Sequence, residues 1–362
     1  MNHRISAVVL SVCLLLLTTG AIAADTSFTD QAGNTVTLSK PVNKAVTIPI
    51  PSASMFIAID GTHRLAGMHR LSKSAMDGFL LGTYFPEALK IRHDVVGEGF
   101  MPNAETLLAI DPDIVFQWGT QGERIVEPIR NAGLTVALFK YGTQEYLEGW
   151  LSMFGTILDK KDKSEAILAW HHDTRKALTK ATAKIPETER PRVLYFLRYG
   201  SGLKVAGANT YNDFSISLAG GQNVAHDAAQ FAEVNEEQIL LWDPEIILIN
   251  GFEKGVVPND VYTNPKLASV SAVKNRRVYK MPLGGYRWDP PNQESPLAWK
   301  WLSMVFHPDR FHWNLRGEIA EKHKFLYNHI PSDDDLDMVL RMDINGDSAG
   351  YAIFNKSSST GS

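Results

Sequence analysis

Two segments of this chain follow one pattern. Asn103-Ala-Glu105-Thr-Leu-Leu-Ala-Ile-Asp111-Pro112-Asp-Ile-Val-Phe116 and Asn235-Glu-Glu237-Gln-Ile-Leu-Leu-Trp-Asp243-Pro244-Glu-Ile-Ile-Leu248 both fit Asn-x-Glu-x-(Leu/Ile)-Leu-x-x-Asp-Pro-(Asp/Glu)-Ile-(Val/Ile). The two glutamates stand 132 positions apart. An internal match at domain-sized spacing argues for two related lobes. Each copy reads as a short helix stopped at its Asp-Pro, then an apolar β-branched run suited to a buried parallel strand. The glutamate falls early in the helix both times, so each lobe presents an equivalent carboxylate.

The ends and the composition bound the rest. Met1 to Arg4 carries positive charge, Ile5 to Leu17 is mostly apolar, and Ala21-Ile-Ala23 offers small residues for cleavage. Residues 1–23 are therefore expected to be a signal peptide, with export of a soluble monomer to the periplasm. Cys13, the single cysteine, lies inside this run without the small preceding residue that a lipid anchor needs. The mature chain is then free of cysteine, which excludes disulfides, thiolate metal sites and cysteine nucleophiles. A net charge of −4 gives no support to a nucleic-acid partner. No nucleophile-elbow, zincin or phosphate-loop motif is present, so no catalytic residue is assigned and an enzyme is not expected. His171-His172 cannot ligate one ion from one helix face, because neighbouring residues point in different directions.

Organisation follows from periodicity. Ser27 to Leu38 alternates around Gly33-Asn34, a hairpin signal. Strand and helix patterns then alternate, which indicates parallel α/β layers. Asp162 to about Ile185 reads as one long helix, with Ala166, Ala169, Trp170, Asp173, Ala177 and Leu178 on its apolar side and Pro186 closing it. The expected division is a first lobe over 24–158, a connecting helix over 159–187, a second lobe over 188–342 and a tail over 343–362. The fold class is α/β, with two doubly wound Rossmann-like lobes joined by a single long α-helix.

Several pieces in this order resemble the helical-spine substrate-binding proteins of bacterial ABC importers for ferric siderophores, haem and cobalamin. They are Thr29-Asp30-x-x-Gly33, Glu105 to Val115, Val126-x-Pro128-Ile129 to Leu134, the long helix, Leu218-Ala-Gly220-Gly221-x-Asn223, Val234 to Ile247, and Asn264-Pro265 to Tyr279. The resemblance covers nearly all of the mature chain. It implies a ligand held between the lobes, no intrinsic cofactor, and delivery of a metal chelate to an ABC permease dimer in the inner membrane. It also implies that Glu105 and Glu237 dock on that permease, with Glu236 as the alternative in the second lobe. A ferric siderophore is the family's commonest cargo; cobalamin, haem and small oxyanions such as molybdate are alternatives. An enzyme or cofactor-assembly protein on the same fold is the rival of another class.

Ligands of doubly wound lobes sit beyond the carboxyl ends of the strands. The segments there supply His69, Arg70, Trp118, Arg198, Tyr199, Tyr286, Arg287 and Trp288 as candidate ligand contacts. Arg287 is the leading one: it follows Gly284-Gly285 and precedes Asp289-Pro-Pro291, where a fixed fork could clamp an anion. The alternative is an Arg287–Asp289 pair with Trp288 in the core. A haem would need an axial Tyr or His, for which Tyr84, Tyr199, Tyr211 and His69 are available. No metal ligand set is assigned.

Overall fold

The computed structural model describes residues 25–356, so the expected signal peptide and residues 357–362 lie outside it. The hairpin forms as Thr26–Thr29 against Thr35–Leu38. The first sheet runs Leu65–Met68, Ala45–Thr47, Ile114–Trp118, Val136–Phe139, and every pairing is parallel. The second runs Phe231–Glu233, Lys204–Ala206, Arg192–Arg198, Ile246–Ile249, Val278–Lys280. The last three pair in parallel, as does the short strand Gln222–Asn223 beside Arg192–Arg198; the two pairings at the other edge are antiparallel.

Both faces of both sheets are covered, and the strands show why. Ile114 and Phe116 point into the large shared core, whereas Val115 points into a smaller cluster with Val46, Leu107 and Ile129. In the second sheet Val193, Tyr195, Ile246 and Leu248 join the shared core; Leu194, Phe196, Ile247 and Ile249 fill an outer cluster. Alternation of side chains in a strand divides each apolar run between two layers.

The repeat copies fold alike. Asn103 Oδ1 accepts the Thr106 N–H (3.2 Å) at the start of helix Ala104–Ile110, and Asn235 Oδ1 accepts that of Gln238 (2.9 Å) before Glu236–Trp242. Asp111 and Asp243 end the helices in the left-handed region, at φ 51° and 41°. The following acidic position also has a job. Asp113 accepts the N–H groups of Asn43 (2.7 Å) and Lys44 (2.8 Å), and Glu245 accepts that of Arg192 (2.9 Å). Each carboxylate thus caps the start of the neighbouring strand.

The connecting helix is Lys161–Thr182, 22 residues and about 33 Å long at ~1.5 Å per residue. Its buried stripe is Ser164, Ile167, His171, Thr174, Leu178 and Thr182, rotated from the expected one: Ala166, Ala169, Asp173 and Ala177 are exposed. The small alanines suited either face, and packing against Gln144–Ile157 and Ser295–Phe306 selected the other. His171 is buried and His172 exposed, as adjacent positions require. The spine is not the only tie. Helix Leu315–Tyr327 packs on first-lobe helix Ser52–Asp60, and Lys163 Nζ donates to the carbonyls of Phe325 and Leu326. The expected tail is corrected as well. Met342–Asn345 is helical, Tyr351 and Phe354 are core residues, and Asn345 bonds the backbone of Lys280.

Candidate functional site

The loop after strand Val278–Lys280 is built around two glycines and one buried carboxylate. A Cβ on Gly284 would collide with Glu294 Oε2, and one on Gly285 with the Tyr327 hydroxyl. That close approach lets Glu294 accept the Gly285 N–H (2.8 Å), the Trp288 indole N–H (2.7 Å) and the Tyr327 hydroxyl (2.6 Å). Burial alone would raise the Glu294 pKa. The adjacent His323, with the Tyr327 and Trp288 hydrogen bonds, outweighs it and holds the carboxyl below its usual range. Trp288 is therefore an anchor in the core, fully buried, and not a cleft wall.

The anchored loop projects Tyr286 and Arg287 into a cavity of about 310 Å³ between the lobes. Much of the wall lies at or just past strand ends: Pro51, Trp118 and Tyr141 from the first lobe, Phe252, Tyr286 and Arg287 from the second. Arg287 does not pair with Asp289. Its Nη2 donates to the Tyr286 hydroxyl (2.7 Å), its guanidinium lies over the rings of Phe252 (4.9 Å) and Tyr286 (5.0 Å), and its buried Nε–H has no partner. Asp289 is occupied elsewhere, accepting the Tyr195 hydroxyl (3.0 Å) and the Gly251 N–H (3.2 Å). Trp118 likewise leaves a buried indole N–H without a partner. The cavity is an aromatic box with one cation.

Other expected contacts lie elsewhere. His69 is buried, its Nδ1 accepts the Leu71 N–H (3.0 Å) as a helix cap, and burial, then Arg70, lowers its pKa to about 4. Arg70 is exposed and donates to the Gly97 carbonyl (3.3 Å). Tyr199 packs on the outer core and donates to the Asp260 carbonyl (3.2 Å). Arg198 stacks on Phe252 at 4.2 Å, behind the aromatic box. Of the axial candidates for haem only Tyr211 lines the box; Tyr84 bonds His323 (3.2 Å) and stacks on His329. Among the described residues no group of three His, Cys, Asp or Glu side chains is gathered for a metal ion. Sequence reading passed over Tyr141, Tyr195 and Phe231 on the lining. Tyr141 and Tyr195 do sit in or just past strands, a signal that could have found them.

Glu105 and Glu237 are both exposed in the first turns of the repeat helices. Glu236 is engaged by Lys266 (2.9 Å), which leaves Glu237 as the counterpart of Glu105. Exposed leucines follow them: Leu108, Leu240 and Leu241.

Comparison with known proteins agrees with this architecture. The family model described as "Periplasmic binding protein" matches residues 83–283. A crystal structure of a periplasmic solute binding protein from Veillonella parvula superposes with a TM-score of 0.82 at 31% identity, covering 90% of this chain and 99% of that one. The molybdate-binding protein MolA of Haemophilus influenzae is 23% identical over 322 residues, 83% of this chain and 90% of its own. A cobalamin-binding protein of Halobacterium salinarum is 26% identical over 255 residues, 69% of this chain and 64% of that protein, just under two thirds of its length.

Proposed function

The chain belongs to the periplasmic binding protein family, and from that premise we propose that it captures an anionic metal chelate between its lobes. A ferric siderophore is the leading case, and delivery is to an ABC permease dimer in the inner membrane. The observation that carries the reading is Arg287, a cation in an aromatic box whose buried Nε–H is unpartnered and whose neighbouring carboxylate is occupied. An anion accepting from the guanidinium where it lines the cavity would balance its charge, and the flat rings would hold an apolar body. In this reading residues 24–158 and 188–356 are the lobes, 159–187 the bridge, and Glu105 and Glu237 the docking carboxylates. The protein works as an exported monomer and carries out no chemical step.

A second reading, a free oxyanion, is favoured by the likeness to a molybdate-binding protein over most of both chains. A haem would find only Tyr211 of its candidate ligands in the aromatic box. Native mass spectrometry of the protein purified from its own periplasm, with elemental analysis, separates these readings. Iron with an acidic organic mass supports the chelate; molybdenum without one supports the oxyanion. A neutral, metal-free ligand overturns both.

A further inference from the structure

We propose that the cleft contains a second anion subsite, a basic chamber that takes a carboxylate- or phosphate-bearing arm of the bound molecule. The proposal rests on the reading of the cleft as the site of an anionic solute, and it names what that solute carries beyond the part seated in the aromatic box.

The chamber has a volume of about 660 Å³ and lies on the other side of Phe252. Ile50, Phe252 and Arg287 line both spaces, so the two are compartments of one cleft. Its second-lobe wall carries Arg198, Lys254, Lys280, Arg287 and Arg341, against one lining carboxylate, Glu253. Such an excess is not the character of the whole chain, whose net charge is −4. The cations are held by neutral oxygens. Lys280 Nζ donates to the carbonyls of Glu253 (2.8 Å) and Val256, and Arg341 to those of Met281 (3.1 Å) and Gly251 (2.8 Å). Arg198 donates to the Leu197 carbonyl (2.8 Å). Glu253 forms no ion pair with them: its oxygens take the N–H groups of Tyr199 (2.8 Å) and Ser201 (3.1 Å) and the Asn250 amide (3.2 Å), and its charge reaches Lys280 only at a distance.

Buried cations with no carboxylate paired directly to them are costly unless something else supplies the charge. Lys280 is only 4% exposed, and burial, then Arg341, lowers its pKa to about 8, as expected for an ammonium beside other cations. Phe252 carries the Arg198 and Arg287 guanidiniums at 4.2 and 4.9 Å, which fixes their planes before any ligand arrives. The facing first-lobe wall is apolar, with Leu71, Ala75 and Phe79. An arm that fits is therefore anionic on one side and hydrocarbon on the other.

Calorimetry of the full mature protein with three probes tests this: inorganic phosphate, citrate, and 2,3-dihydroxybenzoate as a flat anion for the aromatic box. Phosphate or citrate should bind the wild type and weaken about tenfold in Arg198→Gln, the loss of one charge-assisted contact. Arg341→Gln should weaken the same probe, and a circular dichroism spectrum of each variant confirms its fold. The tighter of the two probes identifies the arm as phosphate or carboxylate. Dihydroxybenzoate should be indifferent to Arg198→Gln and weakened by Arg287→Gln. If neither small anion binds, or Arg198→Gln leaves the tighter one unchanged, the subsite is wrong even when dihydroxybenzoate behaves as expected. If dihydroxybenzoate does not bind, or ignores Arg287→Gln, the parent reading of the cleft fails instead.

Discussion

His171 is the peg between spine and lobes, and its chemistry sets an acid limit on the fold. Its ring is fully buried, with Nε2 3.1 Å from the Gln293 carbonyl and Nδ1 3.0 Å from the Gln144 amide nitrogen. A carbonyl can only accept, so Nε2 carries the proton and Nδ1 accepts from Gln144. The same amide nitrogen reaches Glu148 (3.2 Å), so turning the amide to meet a protonated ring would sacrifice that bond. Burial is the largest influence and lowers the His171 pKa from 6.5 to about 4, against the opposing effect of the Gln293 bond. The unfolded chain therefore takes up the proton first. The stability due to a neutral ring is complete above pH 6.5 and is lost as pH falls toward 4. At pH 4.5 the loss from one such group is about 2.5 kcal/mol, and His69, lowered likewise to about 4, loses a similar amount. Together that is a sizeable part of a typical ~5–15 kcal/mol. The assay is urea unfolding of the wild type and His171→Gln at pH 7.5 and 4.5. Glutamine can donate to Gln293 and accept from Gln144 without titrating. Carboxylates and other histidines titrate in both proteins and cancel, so the variant should lose about 2.5 kcal/mol less between the two pH values. An equal loss in both would show that His171 titrates normally and is not the acid-sensitive peg.

Three further outcomes are expected. Glu105→Ala and Glu237→Ala should leave ligand affinity unchanged while lowering uptake at limiting receptor, and Glu236→Ala should do neither because Lys266 already holds it; transport assays in cells lacking the native gene decide it. Gly285→Ala should push the ligand loop off Tyr327 and Glu294 and destabilise the protein by about 1–3 kcal/mol, read by thermal unfolding; a wild-type Tm would mean the loop is not held by that contact. X-ray scattering curves with and without ligand should nearly superimpose, because helix Leu315–Tyr327 ties the lobes in parallel with the spine; a marked compaction would show a free hinge.

The fold was legible where one residue type has one use. Asn at a helix start, Asp-Pro at its end and a β-branched run after it leave few alternatives, and the repeat supplied the pairing of lobes. The spine's existence was equally clear, but its rotation was not. A helix carrying four alanines among lysines offers two nearly equivalent stripes, and only the tertiary partners of Ser164, His171 and Thr174 chose between them. The end of the chain was misread for a related reason. Tyr351-Ala-Ile-Phe354 is a four-residue apolar island between polar residues, too short to show a period that would announce it closes the second lobe.

At the site, position after a strand located the right loops but could not say which side chain of a loop turns inward. Among Tyr286, Arg287 and Trp288, the outcome was decided by Glu294, seven residues beyond Arg287 and unremarked in the sequence. Its carboxylate takes the Trp288 indole inward, and the chain direction then sends Arg287 to the cleft. The two glycines matter for the same reason: they are the space that carboxylate occupies, not a flexible bend. The anchor reaches further. Glu294 adjoins Gln293, whose carbonyl meets His171 on the spine and whose amide oxygen meets first-lobe Ser54 Oγ (3.3 Å), while Tyr327 and His323 lead to first-lobe Tyr84. The residues that aim Arg287 are therefore the ones that hold the lobes together. A shift of the lobes would thus displace Arg287, and the proposed anion clamp is set largely before a ligand arrives.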